Sequence, residues 1–277
     1  MSSHQKQENN TSFWDQHRGR IFSRKGGVLF GQAVYCHGYS MMEDLVGKVS
    51  FVQVLILNVT GRLPDKRLAD WVEALFLGTS YPDARIWCNQ IGSLAGTMLA
   101  SPVSAVGAGV QASDSVLYGP GTLMKSASFI VNALRKYKKG ATVTEIVLEQ
   151  QRNRKSKPSI VGYARPIATG DERVYVMQQL AKRLGFGVGE HLELAFAIEK
   201  ILFEKFKETI NLAGYLTAFL SDQKFTPQEI YRFCSIMVSS GVLACYAEAA
   251  DQPPESFFPM HCEDIDYQGK PPRPVPD

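Results

Sequence analysis

Two neighbouring stretches, residues 82–99 and 105–116, have helical character but are dominated by Ala, Gly and Ser. Side chains this small cannot cover a core from a distance. They are buried only where another helix approaches closely, so both stretches demand a tight helix–helix seam. Helical spacing of apolar residues continues over 51–60, 65–77, 123–137, 142–154, 173–184, 190–206, 211–220 and 226–250. Only 26–39 (GGVLFGQAVYCHGY) alternates in the manner of short strands or a hairpin. The predicted class is all-α. Cap signals agree. Glu43 and Asp44 open a helix after Ser40, Thr142 or Thr144 precedes another, and Thr226-Pro227 with Glu229 reads as an N-cap followed by Pro.

A chain of 277 residues, 45% apolar, can bury a substantial core in one large domain or two smaller ones. Its net charge of +3 implies neither nucleic acid nor a membrane as partner. Basic residues do cluster locally, at 135–139 and 152–157. The five cysteines show no CxxC or CxxH spacing, so a disulfide framework and a zinc site are not expected, and no metal is. Free thiols fit a cytoplasmic protein. The first 25 residues are polar and expected to be partly disordered, with no signal-peptide pattern. The tail from Gln252 is Pro-rich and expected to be irregular.

Between the helical stretches lies IVGYARPIATGDER, residues 160–173. Gly162, Pro166 and Gly170 break the periodicity, and Arg165, Asp171, Glu172 and Arg173 supply charge. A loop with fixed turns and fixed cations between helices is either a solvated connection or a place where ligands are held.

The order of landmarks from Gly26 to Pro276 resembles the citrate synthase superfamily, above all its short citryl-CoA-lyase-like members. HGYSMMEDL is similar to the family's RGY-x-x-x-x-L segment, and SFVQVLILNVTGRLP to its SF-x-E-x-x-x-L-L-x-x-G-x-L-P segment. VSAVGAGVQASDSVLYGPGTL resembles the Ala/Gly helix that runs into Gly-Pro-x-His-Gly. GYARPIATGDER resembles Gly-Phe-Gly-His…Asp-Pro-Arg, and NLAGYLTAFL resembles Asn-Val-Asp-x-x-Ser-Gly. The closing PMHCEDIDYQGKPPRPVP follows R-x-P-x-E-D-x-x-Y-x-G-x-x-P-R-P-x-P almost position for position. The resemblance implies an all-α homodimer with an acyl-CoA cleft between a large domain (26–123 plus 221–277) and an inserted small one (124–220).

It also implies a site whose usual chemistry is largely replaced. Family members use an Asp base, two His donors and three Arg for carboxylates. Here the enol-stabilising His falls on Thr122, whose hydroxyl can donate one hydrogen bond but carries no charge. The carbonyl-polarising His falls on Arg165 or Ala164, because the loop is one residue short, and the base falls on Ala213. Arg173 matches the Arg of Asp-Pro-Arg. The later Arg falls on Val238, and the one supplied across the dimer on Pro259 or Phe258. The resemblance therefore makes Thr122 and Arg165 the candidate catalytic residues, and Arg173, Asp171 and Asn211 the candidate substrate ligands. Arg154, Lys155 and Lys157 are the candidates for the phosphates of a coenzyme A thioester. Two functions stay open: an altered acyl-CoA-dependent enzyme that forms or cleaves carbon–carbon bonds on a carboxylate substrate (an acyltransferase or lyase), and a non-catalytic relative that binds a ligand or a subunit. His37, where the family has Arg, reads as a structural, hydrogen-bonded histidine, and Cys245 as a core residue.

Overall fold

The computed structural model describes residues 11–153, 156–164, 170–254, 256 and 261–276. The chain divides into two compact units, one up to Lys66 and one from Arg67 onward.

In the first unit a short helix, α1 (Ser12–His17), lies within the segment expected to be partly disordered. Strands β1 (Gly26–Leu29), β2 (Ala33–Cys36) and β3 (Tyr39–Ser40) form an antiparallel meander with Val28 opposite Val34. A π-helical turn, Met41–Leu45, follows. The Ser40 hydroxyl caps it by accepting the Glu43 amide. Helix α2 (Phe51–Thr60) starts in a reciprocal capping box between Ser50 and Gln53 and ends at Gly61 in the left-handed region, φ 76°. Cys36, Leu45 and Leu57 form the centre of this unit, with Met41, Val49 and Leu63 packed around them.

The second unit is helical. Helix α3 (Lys66–Thr79) leads into it, followed by α4 (Trp87–Thr97), α5 (Pro102–Ser113), α6 (Pro120–Lys138) and α7 (Val143–Leu148). After the long loop come α8 (Glu172–Arg183), α9 (Glu190–Phe206), α10 (Leu212–Asp222), α11 (Pro227–Phe233) and α12 (Ser239–Ala250). The small-residue helices form the seam they require, within this same chain. A Cβ on Gly92 would lie 2.6 Å from the Val242 carbonyl, and one on Gly96 2.5 Å from the Tyr246 carbonyl. One on Gly109 would lie 2.5 Å from Val242 Cγ1, so α4 and α5 both close on α12. A second centre surrounds α10, which is buried along most of its length. There Trp71 of α3 stacks on Phe219 of α10 at 4.0 Å.

Two expectations are corrected. The single helix over 226–250 is broken into α11, a 3-10 turn (Cys234–Ile236) and α12. The Ser235 hydroxyl bonds back to the Arg232 carbonyl, which competes with continuation of the helical ladder. The break lets α11 pack on α6 while α12 packs on α4 and α5. By length and composition alone Pro227–Ala250 would suffice to cross a membrane, but 44% of its apolar window is buried inside the protein. The helix expected over 142–154 stops at Leu148. Its continuation turns back instead, with Gln151 bridged to Pro158 and Asn153 hydrogen-bonded to Ser156. The caps at Thr142 and Thr226 are both full capping boxes. The domain limits expected at 123/124 and 220/221 fall inside the unbroken helices α6 and α10.

Candidate functional site

The segment that runs into α10, residues 209–212, holds the long loop at both of its ends. At the near end, the Ala164 amide donates to the Thr209 carbonyl (2.9 Å) and the Asn211 amide to the Gly162 carbonyl (3.0 Å). At the far end, the Gly170 amide donates to Thr209 Oγ1 (3.1 Å) and the Leu212 amide to Asp171 Oδ2 (2.9 Å). Contact is closest where Gly162 meets Gly214. A Cβ on Gly162 would lie 2.7 Å from Gly214 Cα and 2.6 Å from Ser126 Oγ, and one on Gly214 would overlap the Gly162 carbonyl. Ser126 on α6 in turn shares a 2.9 Å hydrogen bond with Thr217 on α10. The start of the loop, α6 and α10 therefore converge on one point. Ala164 sits there with φ +67°, a left-handed conformation unfavourable for a residue with a Cβ.

Several sequence-predicted residues are already engaged. Thr122, one turn before Ser126 on α6, donates its hydroxyl to the Gly119 carbonyl at 2.7 Å, so its proton is committed to the backbone. Asn211 caps α10 by accepting the Gly214 amide, and its Nδ2 donates to the Ala164 carbonyl at 2.7 Å. Asp171 has a fully buried side chain and caps α8. Its two oxygens accept Arg173 Nε and Nη2, both at 2.8 Å. Burial pushes the Asp171 carboxyl up, but the hydrogen bonds from Arg173 and the Leu212 amide outweigh it and hold the group below the usual carboxylate range. Arg173 keeps 30% of its side chain exposed, and its Nη1 has no acceptor among the described residues. It borders an open groove of about 440 Å³ whose walls include Leu75 and Gly78 of α3 and Met177 and Leu180 of α8.

Lys157 reaches Glu208 Oε1 at 2.8 Å with its own side chain 62% exposed. Arg165, Arg154 and Lys155 lie outside the described residues, as do Phe258 and Pro259. His37 departs from expectation. It has φ +48°, and its buried Nε2 has no hydrogen-bond partner among the described residues. Cys245 is core, 2% exposed, with its thiol pushed up by burial.

Sequence reasoning missed two phenols held at the start of α4. The turn carrying Tyr81 is pinned by Asn89 of α4, whose Nδ2 donates to the Tyr81 and Asp83 carbonyls at 3.2 and 2.9 Å. Tyr118 lies edge-on to Trp87 of α4, ring centres 4.5 Å apart. Burial pushes the Tyr118 phenol up to about 12, Cys88 adds to this, and Arg173 partly offsets it. The only sequence sign was a tyrosine one or two residues ahead of a proline, in SYPD and YGPG.

These helices and this loop define the protein's class: its fold is citrate-synthase-like. Within that class, the structure of citryl-CoA lyase from Hydrogenobacter thermophilus matches with TM-score 0.78 and 25% identity over 92% of this chain and 97% of that one. ATP citrate lyase from Methanothrix soehngenii, in complex with citrate and coenzyme A, matches with TM-score 0.74 and 16% identity, covering 95% of this chain and 44% of that chain. Citrate synthase from Thermoplasma acidophilum, in a ternary complex with carboxymethyl coenzyme A and oxaloacetate, matches with TM-score 0.63 and 16% identity over 82% and 59%. No family model matches the sequence, and no curated protein does.

Proposed function

We propose that this protein is an altered citrate-synthase-type enzyme that forms or cleaves a carbon–carbon bond of a coenzyme A thioester, with a carboxylate substrate at Arg173. The observation that carries this reading is the double attachment of the 160–173 loop to residues 209–212. It keeps the cleft frame and its Arg in place although the usual base position is Ala213. The likeness to lyases and synthases solved with citrate, coenzyme A or oxaloacetate supports the substrate class. Lys157, with Arg154 and Lys155, is the proposed contact for the coenzyme's phosphates. Its exposed ion pair with Glu208 is of the weak kind that a polyanion displaces readily. The large and small domains, the homodimer and the cytoplasmic location belong to the same proposal. Leu94, Met98, Leu99 and Val103 support the dimer, because they leave apolar side chains exposed on and between α4 and α5.

A second reading, a non-catalytic ligand-binding relative, is favoured by one specific pair of facts. Ala213 cannot take a proton, and the Thr122 hydroxyl donates to Gly119. Loss of a general base costs on the order of 10²–10⁴-fold in rate. Thiol release from acetyl-CoA with oxaloacetate, citryl-CoA cleavage, and thermal shifts with coenzyme A and with citrate separate the two. Stabilisation by both ligands with turnover below about 1 s⁻¹ supports the altered enzyme. Stabilisation with no turnover supports the binding protein. Turnover of ordinary size shows that the base lies elsewhere, and no stabilisation by either ligand overturns both readings.

A further inference from the structure

Helices α3 and α8 are tied at one end. Arg67, at the start of α3, donates from Nη1 to the Leu184 carbonyl just after α8, at 3.3 Å, and its guanidinium lies over the Phe186 ring at 5.1 Å. The helices run antiparallel from there, so Gly78 of α3 and Arg173 of α8 stand at the opposite end of the groove between them. Its volume of about 440 Å³ lies in the range that holds a small organic ligand. The buried side chains of Leu75, Met177 and Leu212 line it. Its charged residues sit at its two ends. Asp70 and Arg183, of opposite sign, are at the tied end. Arg173 is at the other, about 15 Å from Arg183 along the α8 axis. Asp171 occupies Nε and Nη2 of Arg173, so the guanidinium keeps its Nη1 donor for a ligand. Gly78 leaves the wall open beside it. A Cβ there would meet nothing within 4 Å, and the residue has no positive φ, so neither close packing nor backbone conformation calls for glycine.

We propose that this groove takes the hydrocarbon chain of a carboxylate whose head group binds Arg173, so the preferred substrate is an alkyl monocarboxylate rather than a tricarboxylate. The inference rests on the carboxylate reading above and specifies what the carboxylate is attached to. An apolar trough with one available cationic donor at its mouth matches such a molecule in shape and charge. The positions where the resemblance places two further carboxylate-binding arginines hold the buried Val238 and Pro259 or Phe258. Citrate can offer one carboxylate to Arg173, but it leaves the apolar wall uncovered.

The test is calorimetric titration of butyrate, hexanoate, octanoate and octanol into the wild type, Gly78→Leu and Arg173→Gln. Full burial of one methylene strengthens binding roughly fourfold. In a groove open on one side about twofold is expected, which makes octanoate about fifteenfold tighter than butyrate. Octanol should bind about tenfold more weakly than octanoate, because it lacks the charged acceptor. Gly78→Leu fills the trough and should abolish most of the chain-length gain, while its melting temperature without ligand holds or rises, since Leu is the better helix former. If butyrate and octanoate bind equally and Arg173→Gln weakens both, this inference is overturned and the carboxylate reading stands. A chain-length gain that survives Gly78→Leu also overturns it, because the chain then lies elsewhere. If octanol binds as tightly as octanoate, or if no carboxylate binds, the carboxylate reading falls and takes the inference with it.

Discussion

Arg173 and Asp171 are two residues apart and bind each other through two parallel hydrogen bonds of 2.8 Å, with the carboxylate fully buried and the guanidinium partly open. The pair does two jobs. Asp171 ties the start of α8 to the start of α10 through the Leu212 amide, and it fixes the orientation of the Arg head. Asp171→Ala should therefore cost roughly 3–5 kcal/mol, because it leaves a half-buried guanidinium unpaired. Urea denaturation measures this, and a loss within experimental error would show that the pair is dispensable.

The same pair has a pH signature. Its folded-state carboxyl lies below its ordinary value, so folding favours the ionised form. The pair's contribution is complete above the unfolded pKa of about 3.9 and is lost as pH falls through the lower folded value. Wild-type urea midpoints should drop more steeply below about pH 4 than those of Asp171→Asn. Parallel curves for the two proteins would contradict this assignment.

Gly214 has no room for a methyl group, because the Gly162 carbonyl occupies that space. Gly214→Ala should displace the start of the loop and destabilise the protein by roughly 1–3 kcal/mol. If the cleft depends on this contact, citrate stabilisation should also shrink in the variant, by thermal shift. A variant with full stability and full ligand response would show that the loop is held elsewhere.

Thr226 Oγ1 accepts the Glu229 amide while the Glu229 carboxylate accepts the Thr226 amide. Thr226→Ala should cost about 1 kcal/mol and leave ligand binding unchanged. It serves as a stability control for the cleft variants. A matching loss of citrate response would mean that α11 influences the site.

The dimer can be weighed directly. Light scattering at micromolar concentration should give twice the chain mass. Val103→Lys with Met98→Lys, at side chains 82% and 61% exposed, should shift it to the monomer without unfolding it. A wild-type monomer at that concentration would remove the dimer from the proposal.

The sequence alone determined the helical class and most helix positions, because apolar period and capping chemistry act locally. Residues 51–60 and 190–206 are helical as spaced, and Thr142 and Thr226 cap where expected. The Ala/Gly/Ser stretches foretold a close seam, but not its partner. That Gly92, Gly96 and Gly109 meet α12 depends on contacts more than 130 residues away in sequence, which no local pattern encodes. The break at 234–236 was hidden for a related reason: the apolar run continues through it, and a seryl hydroxyl with two packing demands decides the bend. At the site, sequence named Arg173, Asp171, Asn211 and Thr122, but not what each one already holds. A side chain's free donors are what remains after its neighbours have taken theirs, and those neighbours are chosen by folding. Tertiary structure alone therefore committed Thr122 to Gly119 and Asn211 to Ala164, and set the Tyr81 turn and the Tyr118 ring against the start of α4.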